Sequence, residues 1–154
     1  MKSQIRLILR NPQLPYVLIG NPACIHSEIT SRQIITMKRE TLFKYAREHY
    51  KSEPEFLWRN LPGYAVLRHH NGGKWFGLVM NVPGSRLGLK TDEVVDVLEV
   101  KVRPEHSGSL RKKDGILPAY HMNKEHWISI VLSGPLSQKE IHDLLAESHE
   151  LTSG

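Results

Sequence analysis

The spacing of apolar residues predicts a helix at each end of the segment that begins near residue 37. Leu42, Phe43, Ala46 and Tyr50 recur at helical intervals with charged residues between them, which predicts a helix over about residues 37–50. A second helix is predicted after Pro135, because Ser137 and Glu140 have the spacing of a capping box. Its buried stripe is predicted to be Ile141, Leu144, Leu145 and Ser148.

Between the two helices the pattern favours β-strands. Residues 64–69 and 74–82 are rich in β-branched and aromatic residues, and the sequence His70-Asn71-Gly72-Gly73 joins them. Asn-Gly and Gly-Gly supply the positive φ angles of a tight hairpin, and both strands are predicted to lie well inside the sheet. Further strands are predicted over residues 94–102 and 127–132, with a short helix opening at Pro104. This order predicts an α+β fold, a twisted antiparallel sheet with the helices on one face.

Residues 1–36 differ from the rest and are interpreted as an N-terminal extension to a domain over residues 37–154. Asn-Pro and Leu-Pro pairs interrupt the short apolar stretches of this segment. Two interpretations stay open: the extension is disordered, or it precedes a biological start at Met37. It carries a net charge of +3, and residues 37–154 carry only +2 of the total of +5. The case for a nucleic-acid partner is therefore weaker than the total charge suggests.

Composition and short motifs disfavour several classes of protein. A single cysteine, Cys24, cannot form an internal disulfide and suits the reducing cytoplasm. No apolar stretch approaches the roughly 20 residues that span a membrane. There is no G-x-S-x-G sequence or pair of carboxylates that indicates an enzyme, and Gly72-Gly73-Lys74 joins two strands rather than forming a phosphate loop. We expect a non-enzymatic, cytoplasmic protein without a metal or other cofactor.

The most distinctive stretch is residues 118–132, PAYHMNKEHWISIVL, a polar and aromatic loop that leads into a strand. Together with residues 64–69 (YAVLRH), 74–76 (KWF) and 101–105 (KVRPE), in this order, it resembles the MmcQ/YjbR family over about residues 37–152. The resemblance implies a fold like that of the bacterial frataxin homologue CyaY. It also implies binding of double-stranded DNA by a double wing of two protruding loops.

Basic residues near three loops are the candidates for phosphate contacts. If these loops share one edge of the domain, their side chains form a positive rim that can bind a nucleic-acid backbone. The candidates are Arg68, Lys74, Arg111, Lys112, Lys113 and Lys124.

An alternative is an adaptor that binds a protein or a small ligand in a groove around residues 121–127. The predicted lining is His121, Asn123, His126 and Trp127. The histidine spacing suits neither a helical nor a strand pair of metal ligands. Frataxin-like iron binding is disfavoured because Glu40 and Glu48 are outnumbered by basic residues on the first helix. The expected assembly is a monomer or weak dimer.

Overall fold

The computed structural model describes residues 36–70 and 72–154, in which three α-helices pack with a five-stranded antiparallel sheet. The helices are α1 (Arg39–Tyr50), α2 (Pro104–Leu110) and α3 (Gln138–Leu151). The strands are β1 (Ala65–Arg68), β2 (Trp75–Pro83), β3 (Val94–Lys101), β4 (Ile116–Pro118) and β5 (Trp127–Val131). A 3₁₀ helix, Gly84–Leu87, follows β2. The order across the sheet is β1-β2-β3-β5-β4.

One face of the sheet, the helix face, carries the larger apolar core. Strand residues such as Leu67, Leu98 and Ile130 are fully buried there against α1 and α3. From α1, Leu42 and Ala46 reach this core, and α3 contributes the buried side chains of Ile141, Leu145 and Ser148. Ser137 and Glu140 form the predicted capping box at the start of α3. The helical spacing seen in the sequence therefore corresponds to the buried sides of both long helices.

The opposite face, the loop face, is covered by connecting segments instead of helices. Its strand residues include Val66, Leu78, Met80 and Val97, and half-buried side chains from residues 58–64, 87–89 and 120 pack onto them. Two fully buried polar residues, Glu99 and Ser129, also lie on this face, between the apolar residues of β3 and β5. The loop face therefore combines aromatic side chains with a buried carboxylate.

A bulge at the start of β2 is closed by a side chain from α3. Leu67 pairs with Gly77 and Arg68 pairs with Trp75, so Phe76 is the extra residue. The Ser148 hydroxyl donates to the Phe76 carbonyl at 2.7 Å and accepts from the Lys101 amide at 2.8 Å. Ser148 thus bridges β2 and β3 beyond the last paired residues of their ladder, Leu78 and Glu99.

The predicted α+β fold with an antiparallel sheet is confirmed, with two corrections to its detail. The strand Ala65–Arg68 is an edge strand and does not lie inside the sheet. It is nevertheless buried on both faces, because the preceding loop covers it and forms a bridge between Glu55 and Val66. The strand Ile116–Pro118 was not predicted, since Gly115 and Pro118 suggested only a break in structure.

The predictions for the N-terminal extension concern residues 1–36 and, apart from Thr36, lie outside the described part of the chain, as does Asn71 of the hairpin. Within the described residues, no helix combines the length and the apolar character that crossing a bilayer requires.

Candidate binding surface at the hairpin end

One end of the sheet gathers most of the residues that the sequence singled out. There β1 ends, β2 begins, β3 ends and β5 begins, because all neighbouring strands are antiparallel. The helices α1 and α3 also end here, as shown by hydrogen bonds from Ser52 to Arg68 and from Ser148 to Phe76. We call this the hairpin end, and the opposite end carries the start of α3.

Four half-buried side chains form a row across the loop face at the hairpin end. Arg68 pairs with Trp75 across β1 and β2, and Lys101 pairs with Trp127 across β3 and β5. The guanidinium carbon of Arg68 lies 5.9 Å from the centre of the Trp75 ring, within the range of a cation–π contact. Lys101 lies on the same face as Glu99, two residues before it on β3. The row therefore alternates cations and tryptophans: Arg68, Trp75, Lys101, Trp127.

The six predicted phosphate-binding residues have different surroundings. Arg68 is held by Glu55, with Nε 2.9 Å from Oε1, and its Nη1 also donates to the Gly73 carbonyl. Lys113 pairs with Glu140 at 2.7 Å, at the end of the molecule where α3 begins. Arg68 and Lys113 are thus each paired with a carboxylate, and Lys113 lies away from the hairpin end.

The other four predicted cations have no acidic partner among the described residues. Arg111 donates to the Lys124 carbonyl at 3.2 Å, so these two residues are brought together beside the start of β5. Lys74 is exposed at the beginning of β2, and Lys112 is exposed beside Arg111. Three of the predicted positions, Lys74, Arg111 and Lys124, therefore lie at the hairpin end with their charges available.

The four predicted groove residues build and border the loop before β5. The Asn123 side-chain oxygen accepts from the Glu125 amide at 2.8 Å, and its carbonyl accepts from the amides of His126 and Trp127. The His126 carbonyl accepts from Val102, which ties the loop to β3. His121 is exposed, with its ring 4.2 Å from Tyr120 and 6.1 Å from Tyr64. Asn123 therefore maintains the turn, while His121 is free to contact a ligand.

Sequence reasoning assigned no role to Glu99, which lies beneath this loop. The side chain is fully buried. Its Oε1 accepts hydrogen bonds from the Ser129 hydroxyl, at 2.8 Å, and from the Tyr120 amide. Its Oε2 is buried with no hydrogen-bond partner among the described residues. The alternation of Glu99 and Lys101 with apolar neighbours was the available sequence signal, but it could not reveal what covers them.

An arc of aromatic rings connects the row to the loop above Glu99. The Trp58 ring lies 5.9 Å from that of Trp75 and 6.2 Å from that of Tyr64, both edge to face. Burial raises the pKa of Tyr64, and Tyr120 adds to the rise. The Tyr64 phenol is therefore a neutral hydrogen-bond donor at physiological pH. Within the described residues no group of three or more His, Cys, Asp or Glu is placed to hold a metal ion.

Comparison with known proteins now assigns the family, because the family model YjbR matches residues 47–151. The chain belongs to the YjbR family. The uncharacterised protein YyaQ of Bacillus subtilis is 46% identical over 116 residues, covering 75% of this chain and 98% of YyaQ. The uncharacterised protein YbdF of Escherichia coli O157:H7 is 30% identical over 118 residues, covering 75% of this chain and 87% of YbdF.

Solved structures of similar proteins have the same fold. A Pseudomonas syringae protein determined by crystallography is 50% identical, with a TM-score of 0.73, covering 75% of this chain and 99% of that one. A Deinococcus radiodurans protein is 22% identical, with a TM-score of 0.58. The match covers 78% of this chain and 80% of the Deinococcus chain, and it supports the fold alone. The names of YyaQ and YbdF state no activity.

Proposed function

We propose that this YjbR-family protein is a non-enzymatic, cytoplasmic nucleic-acid-binding protein that contacts the phosphates of double-stranded DNA through its hairpin end. The observation that carries the proposal is the gathering there of cations without acidic partners. Lys74, Lys101, Arg111 and Lys124 have none among the described residues, whereas Arg39, Lys113 and Lys139, at the opposite end of the sheet, are paired with carboxylates. A cation without an acidic partner can contact a DNA phosphate directly and release a counterion. A cation in an ion pair must first break that ion pair.

The row of cations and tryptophans adds a second kind of contact beside these charges. Trp127 is half-buried and packs into neither apolar cluster of the described residues, and Lys101 lies next to it. Arg68 keeps its charge near Trp75 while paired to Glu55. Arg68 and Lys101 lie on alternate strands, so a nucleic-acid backbone that follows the row meets their charges about 10 Å apart, twice the strand spacing of about 4.8 Å.

The test is fluorescence anisotropy of a labelled mixed-sequence duplex, measured from low to physiological salt. We expect micromolar binding at low salt that weakens steeply as salt rises. The double substitution Lys74→Glu and Lys124→Glu should lower the magnitude of the log–log salt slope by about 2, because each lost phosphate contact removes about 0.9. Absence of binding at low salt would exclude the proposal.

A matched control separates a specific surface from net charge. Lys90 is exposed and lacks an acidic partner in the described chain, but lies at the opposite end of the sheet, between β2 and β3. Lys90→Glu changes the net charge by the same amount as either single reversal and should leave affinity nearly unchanged. Equal weakening by Lys90→Glu and Lys124→Glu would show non-specific attraction.

We also propose a second candidate function, binding of a small ligand at the loop formed by His121, Asn123, His126 and Trp127. The specific observation in its favour is the unpartnered Oε2 of Glu99 beneath Tyr120 and His121. Its test is ligand-observed NMR with small amine fragments, which should bind the wild-type protein and lose affinity in Glu99→Gln. Equal binding by Glu99→Gln would remove this candidate.

A further inference from the structure

A cavity of about 600 Å³ opens at the hairpin end, on the helix side of the sheet. Its walls come from the ends of α1 and α3 and from the β1–β2 hairpin. No aspartate or glutamate is among its described lining residues. Its nitrogen-bearing side chains are His49, Lys51, His69, His70, Lys74 and His149.

The inner wall of the cavity is held by hydrogen bonds and ring stacking. The Thr152 hydroxyl donates to the Ser148 carbonyl at 2.8 Å, so it accepts the hydrogen bond from His69 Nε2 at 2.7 Å. The His149 ring lies 4.1 Å from His69 and stacks on Tyr50 at 4.4 Å. These contacts fix the two rings at the base of the cavity without occupying the His149 nitrogens.

The lysines of the rim are not required to cap the helices. At the end of α1, backbone amides of Lys51 and Ser52 donate to the carbonyls of Arg47 and Ala46. At the end of α3, the amides of Thr152 and Ser153 donate to Ser148 and Glu150. The ammonium groups of Lys51 and Lys74 have no carboxylate partner among the described residues, so both charges are available to a ligand.

Neither His149 nor Tyr50, whose rings stack at the base of the cavity, adds a negative charge that would repel an anion. Burial lowers the pKa of His149, and His69 adds to the effect, so His149 is neutral at pH 7 and offers one N–H donor. Burial raises the pKa of Tyr50 to about 12, so its phenol contributes no negative charge. The cavity volume also lies within the range of roughly 300–1,000 Å³ that small-molecule sites have.

We infer that this cavity binds a terminal phosphate group, with Lys51 and Lys74 supplying the charge and His149 a hydrogen bond. The shared chemistry is a phosphate with at least two ionisable oxygens, which a lysine recognises as a point charge. It has two sources, a free phosphorylated small molecule or the phosphate at the end of a nucleic-acid strand. The inference goes beyond the proposed function, because it does not require binding along a nucleic-acid backbone.

Isothermal titration calorimetry of the full chain with inorganic pyrophosphate tests the inference. The key variant is Lys51→Asn, because Lys51 has a φ of 54°, where asparagine is better tolerated than most residues, so the charge is removed without added strain. We expect saturable binding to the wild-type protein and a roughly 10- to 100-fold loss of affinity in Lys51→Asn, as for a hydrogen bond to a charged group. Lys90→Gln, at the other end of the sheet, should change nothing.

Two further measurements distinguish a free phosphorylated small molecule from the phosphate at the end of a nucleic-acid strand. A dinucleotide with a 5′ phosphate is compared with the same dinucleotide ending in a 5′ hydroxyl. Tighter binding of the phosphorylated dinucleotide than of pyrophosphate would assign a strand end, and the reverse order would assign a free small molecule. Heat that rises linearly with pyrophosphate, or equal affinities of wild type and Lys51→Asn, would overturn the inference whether or not the duplex binds.

Discussion

The two faces of the sheet are formed by the same strands but differ in what they bury. On the helix face, residues such as Leu98 and Ile130 pack against α1 and α3 as a continuous apolar layer. On the loop face, their neighbours Glu99 and Ser129 are equally buried but polar, and connecting loops cover them. The helix face therefore supplies most of the stability, while the loop face can carry polar groups that a ligand uses.

The largest difference in unfolding free energy between the two faces is expected for substitutions of buried leucines by alanine. Leu98→Ala should cost about 3–4 kcal/mol of unfolding free energy, because α1 and α3 are packed rigidly on the sheet and cannot collapse into the cavity that the substitution leaves. Leu78→Ala, on the loop face, should cost about 2 kcal/mol, since loops can move into the space. Urea denaturation of both variants measures the difference, and equal losses would contradict the comparison.

Removal of the hydroxyl bridge between α3 and the sheet is expected to have the next largest effect. Ser148→Ala leaves the Phe76 carbonyl and the Lys101 amide without their partner, which should cost about 2–3 kcal/mol. The matched control is Ser153→Ala, whose exposed hydroxyl only bonds the Glu150 carbonyl, and it should cost under about 0.5 kcal/mol. Similar stability of the two variants would mean that the bridge contributes little.

A smaller effect is expected from acidification, through histidines packed around α3. Burial lowers the folded-state pKa of His69, His142 and His149 below 6.5. The unfolded chain then binds more protons, so stability falls as pH drops from about 7.5 to 5.5. Melting temperatures across this range test the sign, and His142→Gln should reduce the slope. A rise in stability on acidification would show that the charged rings are favoured by the fold.

The smallest effect is expected for Glu99→Gln on the loop face. Glutamine keeps an oxygen for the Ser129 hydroxyl and the Tyr120 amide, and changes only the oxygen that has no partner. The unfolding free energy should therefore change by less than about 1 kcal/mol. Chemical denaturation tests this, and a loss above about 2 kcal/mol would show that Oε2 has a role in the stability of the fold.

Local patterns in the sequence were sufficient for the helices and for the hairpin. The capping box at Ser137, the helical spacing in α1 and the glycines between β1 and β2 each depend on residues close in sequence. The short strand β4 left no such signal, because its three residues, Ile116–Pro118, are too few to show an alternation of polar and apolar positions. Its pairing with β5 depends on the tertiary structure.

The surface was less predictable, because its residues meet over long sequence distances. Lys101 and Leu98 are three residues apart on one strand and so lie on opposite faces, but only the strand order places Lys101 beside Trp127. Arg68 and Lys113 have the same local appearance as Lys74, and their partners Glu55 and Glu140 are 13 and 27 residues away. The cavity by His69 and His149 likewise depends on Thr152, 83 residues beyond His69.

The bridge made by Ser148 also gives the domain a built-in reporter. The amide proton of Lys101 is bonded to a helix side chain and not to a neighbouring strand. Its exchange with deuterated solvent therefore requires only that α3 detach, while amides in the centre of β3 exchange only when strands separate. The ratio of the two rates measures how often the helix leaves an intact sheet.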